Sequence, residues 1–237
     1  MARRVPVLSL ALLAVVLAGL IWLGSRPAEA EAPRETALPT AAPAQADPAD
    51  WRLTLVNPWT PLPEGYQPTL TTVENGYQVD QRCAAHLEAM LAACREAGLS
   101  PVLCSAYRTQ EKQTALYENL VGKRMAQGLS REDAETQAAK EVARPGTSEH
   151  QLGLAVDIVD ASYQLLDTHQ EDTPVQQWLM EHCWEYGFLL RYPPDKGAVT
   201  GIIYEPWHYR YVGRDHAQAI GQAGLCLEEF LTQAGLV

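Results

Sequence analysis

The chain has 237 residues, 47% of them hydrophobic and 20% charged, ordinary values for a globular protein with one full core and some additions to it. Its formal net charge of −11 argues against a nucleic-acid partner, which needs clustered Lys and Arg, and against adhesion to anionic lipid by charge alone.

In chain order, Arg3 and Arg4 come first, ahead of an uncharged run over positions 5–24. At about 20 residues the run is long enough to span a bilayer. The two leading arginines favour a cytoplasmic N-terminus, so the rest of the chain is expected outside the cytoplasm. The expectation is a single-pass signal anchor over 1–24 in the cell membrane. Cleavage at Ala28-Glu29-Ala30 is the rival and would release a secreted form. Residues 25–50 are rich in Ala, Pro and Glu and lack apolar periodicity, so they read as a disordered linker. The folded domain is placed at 51–237.

Prolines punctuate the opening of that domain and suggest loops. Asp80 can cap a helix running to about Glu96, with Cys83, Leu87, Met90, Leu91 and Cys94 at helical spacing and Gly98 as its stop. Residues 101–105 suit a short strand. Thr109 can cap a second helix, and Ser130-Arg131-Glu132-Asp133 opens a third that is expected to end before Pro145. Residues 152–160 suit a buried strand, with Ala155, Asp157 and Val159 on one face. Thr173-Pro174 opens a helix that Gly187 ends. Residues 202–204 and 207–212 look like further strand pieces, and Asp215 can cap the terminal helical segments. Helices mixed with short strands, without a βαβ rhythm, indicate an α+β fold. The five cysteines contain no close Cys-x-x-Cys pair and read as small buried hydrophobes or as one disulfide plus free thiols.

Three stretches carry chemistry. In Ser148-Glu149-His150-Gln151-Leu152-Gly153-Leu154-Ala155-Val156-Asp157, a turn at Gly153 can bring His150 back to Asp157, which a single helix could not do. In Glu205-Pro206-Trp207-His208, the stiff proline turn holds a carboxylate near an imidazole without making it a ligand. In Ser105-Ala106-Tyr107-Arg108, the arginine can meet a carboxylate or an oxyanion. Two imidazoles, a carboxylate, a spare carboxylate and an arginine are the parts of a zinc hydrolase with an open fourth position.

Together these stretches resemble the zinc D-alanyl-D-alanine carboxypeptidases of the vancomycin-resistance VanY type, and the L,D-carboxypeptidases built on the same fold. Ala143-Arg144-Pro145-Gly146 and Tyr209-Arg210-Tyr211-Val212-Gly213 add to the resemblance, whereas Ala106 stands where many relatives have glycine. The resemblance implies a small antiparallel sheet flanked by helices, with zinc in an open groove. It implies that His150, Asp157 and His208 hold one Zn2+ per chain. Glu205 would be the general base that activates the zinc-bound water and then passes the proton to the leaving amine. Arg108 would contact the substrate's terminal carboxylate or the tetrahedral intermediate, and Ser148 and Gln113 would help to bind the substrate. The implied reaction removes the C-terminal D-alanine from a peptidoglycan stem peptide, with the chain acting as a monomer. An L,D-carboxypeptidase, a cross-link endopeptidase and a non-catalytic zinc module that binds wall peptides are the alternatives; Glu205 counts against the last.

Overall fold

The computed structural model describes residues 46–237. The expected membrane anchor over 1–24 and nearly all of the linker over 25–50 lie outside these residues. Among the described residues no helix is long and apolar enough to cross a membrane.

A four-stranded antiparallel sheet forms the centre, built from β3 (Pro101–Ser105), β4 (Ala155–Asp160), β5 (Phe188–Leu190) and β6 (His208–Tyr211) in the order β3-β4-β6-β5. A separate hairpin pairs β1 (Leu70–Thr72) with β2 (Gln78–Asp80). The helices are α1 (Gln81–Glu96), α2 (Gln110–Ala126), α3 (Arg131–Ala138), α4 (Pro174–His182), α5 (Gly197–Thr200), α6 (Arg214–Ala223) and α7 (Leu227–Gln233). The α+β expectation holds in this form.

Helix α1 starts where Asp80 accepts a hydrogen bond from the Arg82 N–H at 2.9 Å. It buries Cys83, Leu87, Met90, Leu91 and Cys94, one face at helical spacing. It stops in a Schellman arrangement: Gly98 has φ 81°, its N–H donates to Arg95 O, and Leu99 N–H donates to Cys94 O. That face joins Val156 and Ile158 of β4 and Val175 and Leu179 of α4 in the main core. The opposite face of β4 presents Ala155 and Asp157, also buried. A second cluster packs α6 and α7 against Leu53, Leu55 and Leu189, and a third joins α2 to α3 through Tyr117, Val121, Ala134 and Ala138.

Several expectations need correction. Residues 202–204 are irregular and not a strand; Ile203 N–H donates to Lys140 O, which staples this segment to the loop after α3. The strand expected from 152 begins only at Ala155, because Glu149–Leu152 forms a 3-10 turn. Helix α4 ends at His182 and a 3-10 turn carries the chain on to Gly187, at φ 85°. Gly213, not Asp215, precedes α6 as its N-cap. All five cysteines are free, and four are buried.

Candidate metal centre and active site

Strand pairing brings the three motifs together. In the β4–β6 ladder Asp157 lies directly opposite His208, and in the β3–β4 ladder Ser105 lies opposite Asp157 after a shift in register. Directly opposed residues on antiparallel strands place their Cβ atoms about 4.5–5.5 Å apart. Asp157 and His208 therefore meet although far apart in the chain.

His150 arrives by a turn. The 3-10 turn Glu149–Leu152 ends on Gly153 at φ 75°, where a Cβ would lie 2.9 Å from the Asp80 backbone N. Arg108 N–H donates to His150 O at 3.1 Å, which ties the turn to the end of β3. His150 Nδ1 donates to Ala106 O at 2.7 Å, so its Nε2 faces Asp157 Oδ2 at 3.3 Å. His208 Nδ1 lies 3.0 Å from Asp157 Oδ1. The two imidazole rings stand edge to face, 4.9 Å between centroids.

One ligand atom from each of His150, Asp157 and His208 lies within 4.8 Å of the others. Two imidazoles and a carboxylate are the donor types of zinc sites that keep a position free, and this spacing is compact enough for one ion with bonds of about 2 Å once the side chains draw in. The residues present fit the ion.

The electrostatics of the cluster are uneven. Burial pushes the His150 imidazole down to about 4, with Arg108 adding to it and Asp157 opposing, so the ring is neutral. Burial also acts downward on His208, but its hydrogen bond with Asp157 and the nearby Glu149 carboxylate raise it to about 9. Asp157 is held well below the usual carboxylate range despite burial, by His150, His208 and Arg108.

Glu205 sits 3.8 Å from His208 Nδ1 and is 7% exposed. Burial pushes its carboxyl up to about 8; the His208 and Arg108 charges oppose that and Asp157 adds to it. Arg108 donates to Asp157 Oδ2 at 2.7 Å, to Ser105 Oγ at 3.0 Å and to Gln113 Oε1 at 3.3 Å. A guanidinium has five N–H donors, so some remain for another partner.

Arg108, Ser148, His150, Asp157, Glu205 and His208 all line one groove of about 350 Å³. Gln113 does not. It is fully buried beneath Arg108, its amide donating to Ala143 O at 2.7 Å, and so it supports the arginine from behind. Residues not read as part of the site from the sequence complete the groove. Leu116, Asn119, Leu120 and Lys123 line it from one stripe of α2, at the i, i+3, i+4, i+7 spacing that was the available signal. Tyr192 and Glu141 also line it and carried no such signal.

Comparison with known proteins decides the family. The D-alanyl-D-alanine carboxypeptidase family VanY matches residues 76–214, more than half of the chain. The chain belongs to that family. It is a VanY-type D,D-carboxypeptidase, a hydrolase. A D-alanyl-D-alanine carboxypeptidase of Enterococcus faecalis is 43% identical over 208 residues, 88% of this chain and 75% of that protein. Among solved structures, VanYB in complex with D-alanine-D-alanine superposes with a TM-score of 0.71 at 43% identity, over 77% of this chain and 98% of that one. A mutant of the VanB-type D,D-pentapeptidase VanY in complex with Zn(II) gives 0.70 at 43% identity, over 76% and 99%. The LD-carboxypeptidase LdcB is a more distant neighbour, with a TM-score of 0.67 at 32% identity over 76% and 86%.

Proposed function

We propose that this protein removes the C-terminal D-alanine from peptidoglycan stem peptides, using one zinc ion held by His150, Asp157 and His208. The observation that carries the proposal is the convergence of these three donors beside Glu205 and Arg108 in a single groove. The likeness to a VanY in complex with Zn(II), and to VanYB in complex with D-alanine-D-alanine, supports it.

Zinc in such a site lowers the pKa of a bound water and polarises a carbonyl. Glu205 is the proton carrier. Positioned beside the ligand cluster, its carboxylate is placed to take a proton from the attacking water and deliver it to the departing amine. Arg108 offers its remaining N–H donors to negative charge on the substrate, either the terminal carboxylate or the oxygen on which charge develops. Ser148 contributes its hydroxyl to the same wall, and Gln113 keeps Arg108 in place from behind. All of these groups come from one chain, so a monomer suffices.

In this reading residues 1–24 anchor the protein in the cell membrane, residues 25–50 form a tether, and the domain from 51 onward works outside the cytoplasm. The uncharged run behind Arg3 and Arg4 supports that arrangement.

The test is zinc-dependent release of D-alanine from a pentapeptide ending in D-Ala-D-Ala. Release that vanishes on chelation and in Glu205→Ala is the expected result. A zinc-loaded protein that cuts only a tetrapeptide would move the assignment to L,D-carboxypeptidase, the reading favoured by the likeness to LdcB.

A further inference from the structure

Glu149 stands next to His150 in the chain, yet it does not line the groove and is 1% exposed. Its Oε1 accepts hydrogen bonds from Arg191 Nε at 2.8 Å and from Arg210 Nη1 at 2.7 Å. Its Oε2 has no hydrogen-bond partner, and neither has His208 Nε2; both atoms are buried and they lie 3.8 Å apart. Among the described residues only Arg124 Nε and His216 Nδ1 share that condition, and neither residue belongs to the groove. A carboxylate oxygen and a ring nitrogen left unpaired in a dry interior are costly, and each is the complement of the other. A small rotation of either side chain closes the gap.

A neutral imidazole carries one N–H. Placed on Nδ1, it would point at Asp157 and leave the Nε2 lone pair against the Glu149 carboxylate. Placed on Nε2, it donates to Glu149 and leaves the Nδ1 lone pair facing Asp157. We infer that Glu149 is a positioning residue, whose Oε2 keeps the His208 N–H on Nε2 so that Nδ1 is the atom offered to the metal. This rests on the reading of His208 as a metal ligand given above.

The Ala106 carbonyl does the converse for His150, holding its N–H on Nδ1 and freeing Nε2. Glu149 is itself fixed by arginines with further anchors. Arg191 donates to both Glu228 oxygens at 2.9 and 2.6 Å, and Arg210 donates to the Arg52 and Thr54 carbonyls at 2.9 Å each. The two arginines are thus held by α7 and by the chain entering the domain, while each keeps its own hydrogen bond to Glu149.

The deciding measurement uses the intact protein loaded with NMR-active cadmium and labelled at the imidazole nitrogens. His208 is assigned by its contact with the Tyr192 ring, 4.7 Å between centroids. The expected result is metal coupling through Nδ1 of His208 and Nε2 of His150, with the His208 N–H seen on Nε2. Coupling of His208 through Nε2 overturns the inference alone. No coupling to His208 at all overturns the proposed ligand set as well. Chelator competition supplies the second reading. Glu149→Gln is expected to bind zinc about 10- to 100-fold more weakly, whereas Glu228→Gln, which breaks the same network away from His208, lowers the thermal midpoint but leaves zinc affinity unchanged. Wild-type affinity in Glu149→Gln, or an equal loss in both variants, overturns the positioning role. Should Glu149→Gln fail to fold, the wild-type spectrum decides alone.

Discussion

Glu205 is a carboxyl held where ionisation is costly: it is 7% exposed, and burial lifts it to about 8. Glu205→Ala is expected to retain zinc by chelator competition yet lose turnover by about 10²–10⁴-fold, the usual worth of a positioned general base. A variant that hydrolyses at the parent rate would remove Glu205 from the reaction. At this scale the sequence was informative wherever a motif fixed both residue type and spacing. His150, Asp157, His208, Glu205 and Arg108 were all named from it, and all five line the groove. Gln113 was read as a substrate contact only through the family resemblance; the packing of α2 turns it inward instead, behind Arg108. Glu149 was passed over because its partners Arg191 and Arg210 lie 42 and 61 residues further on, and no local pattern announces a long-range ion pair.

Elements decide whether those residues meet. Asp157 and His208 are neighbours because β4 and β6 pair in one register; a slip of one residue would send Asp157 to the face that carries Val156 and Ile158. Gly153 is the hinge that returns His150 to that sheet. Gly153→Ala puts a Cβ 2.9 Å from Asp80 N at φ 75°, so it is expected to cost more than about 1 kcal/mol in urea unfolding and to weaken zinc binding. An unchanged midpoint would show that the turn relaxes freely. Capped helices were legible: Asp80, Thr109, Ser130 and Thr173 each cap the helix expected of them. The β1–β2 hairpin was missed, since three-residue strands are too short to show alternation. Its signal was Asn75-Gly76, both at positive φ between two short runs. The run at 202–204 was mistaken for a strand because local β propensity is alike in a strand and in an apolar segment pinned by Lys140 O.

Across the whole molecule, the chain entering the domain is clasped to its far end. Asp50 accepts from Arg52 at 2.6 Å and lies 3.1 Å from His216 Nε2 on α6. Burial alone would raise the Asp50 carboxyl, but hydrogen bonds from Arg52 and His216 outweigh it and bring it from 3.8 to about 2. A depressed carboxylate stabilises the folded state above its unfolded value, and that contribution fades as pH falls through the folded one. Asp50→Asn is therefore expected to be less stable than the parent at neutral pH and to lose less stability between about pH 4 and 2, as followed by thermal midpoints. Parallel acid curves would show that the clasp carries none of the acid sensitivity. The cysteines give a second test at this scale. Burial pushes the Cys83, Cys104 and Cys183 thiols up to about 12, and Cys94 and Cys226 up to about 11. All five should stay unreactive to a thiol reagent at pH 8 until the protein unfolds, because the thiolate is the reacting form. Fast labelling of the native protein would contradict this.

The sequence by itself determined the α+β class, the caps and stops of the principal helices, and the identity of the titratable groups that meet in the groove. Those features depend on spacing within a few residues, where backbone geometry translates directly into position. Only the tertiary structure decided that Asp157 faces His208, that Gln113 lies behind Arg108, that a stripe of α2 walls the groove, and that Glu149 backs His208. Each of these depends on strand register or on burial between segments distant in the chain. Such contacts are set by how apolar faces pack across the whole domain, and no short stretch of sequence holds that information.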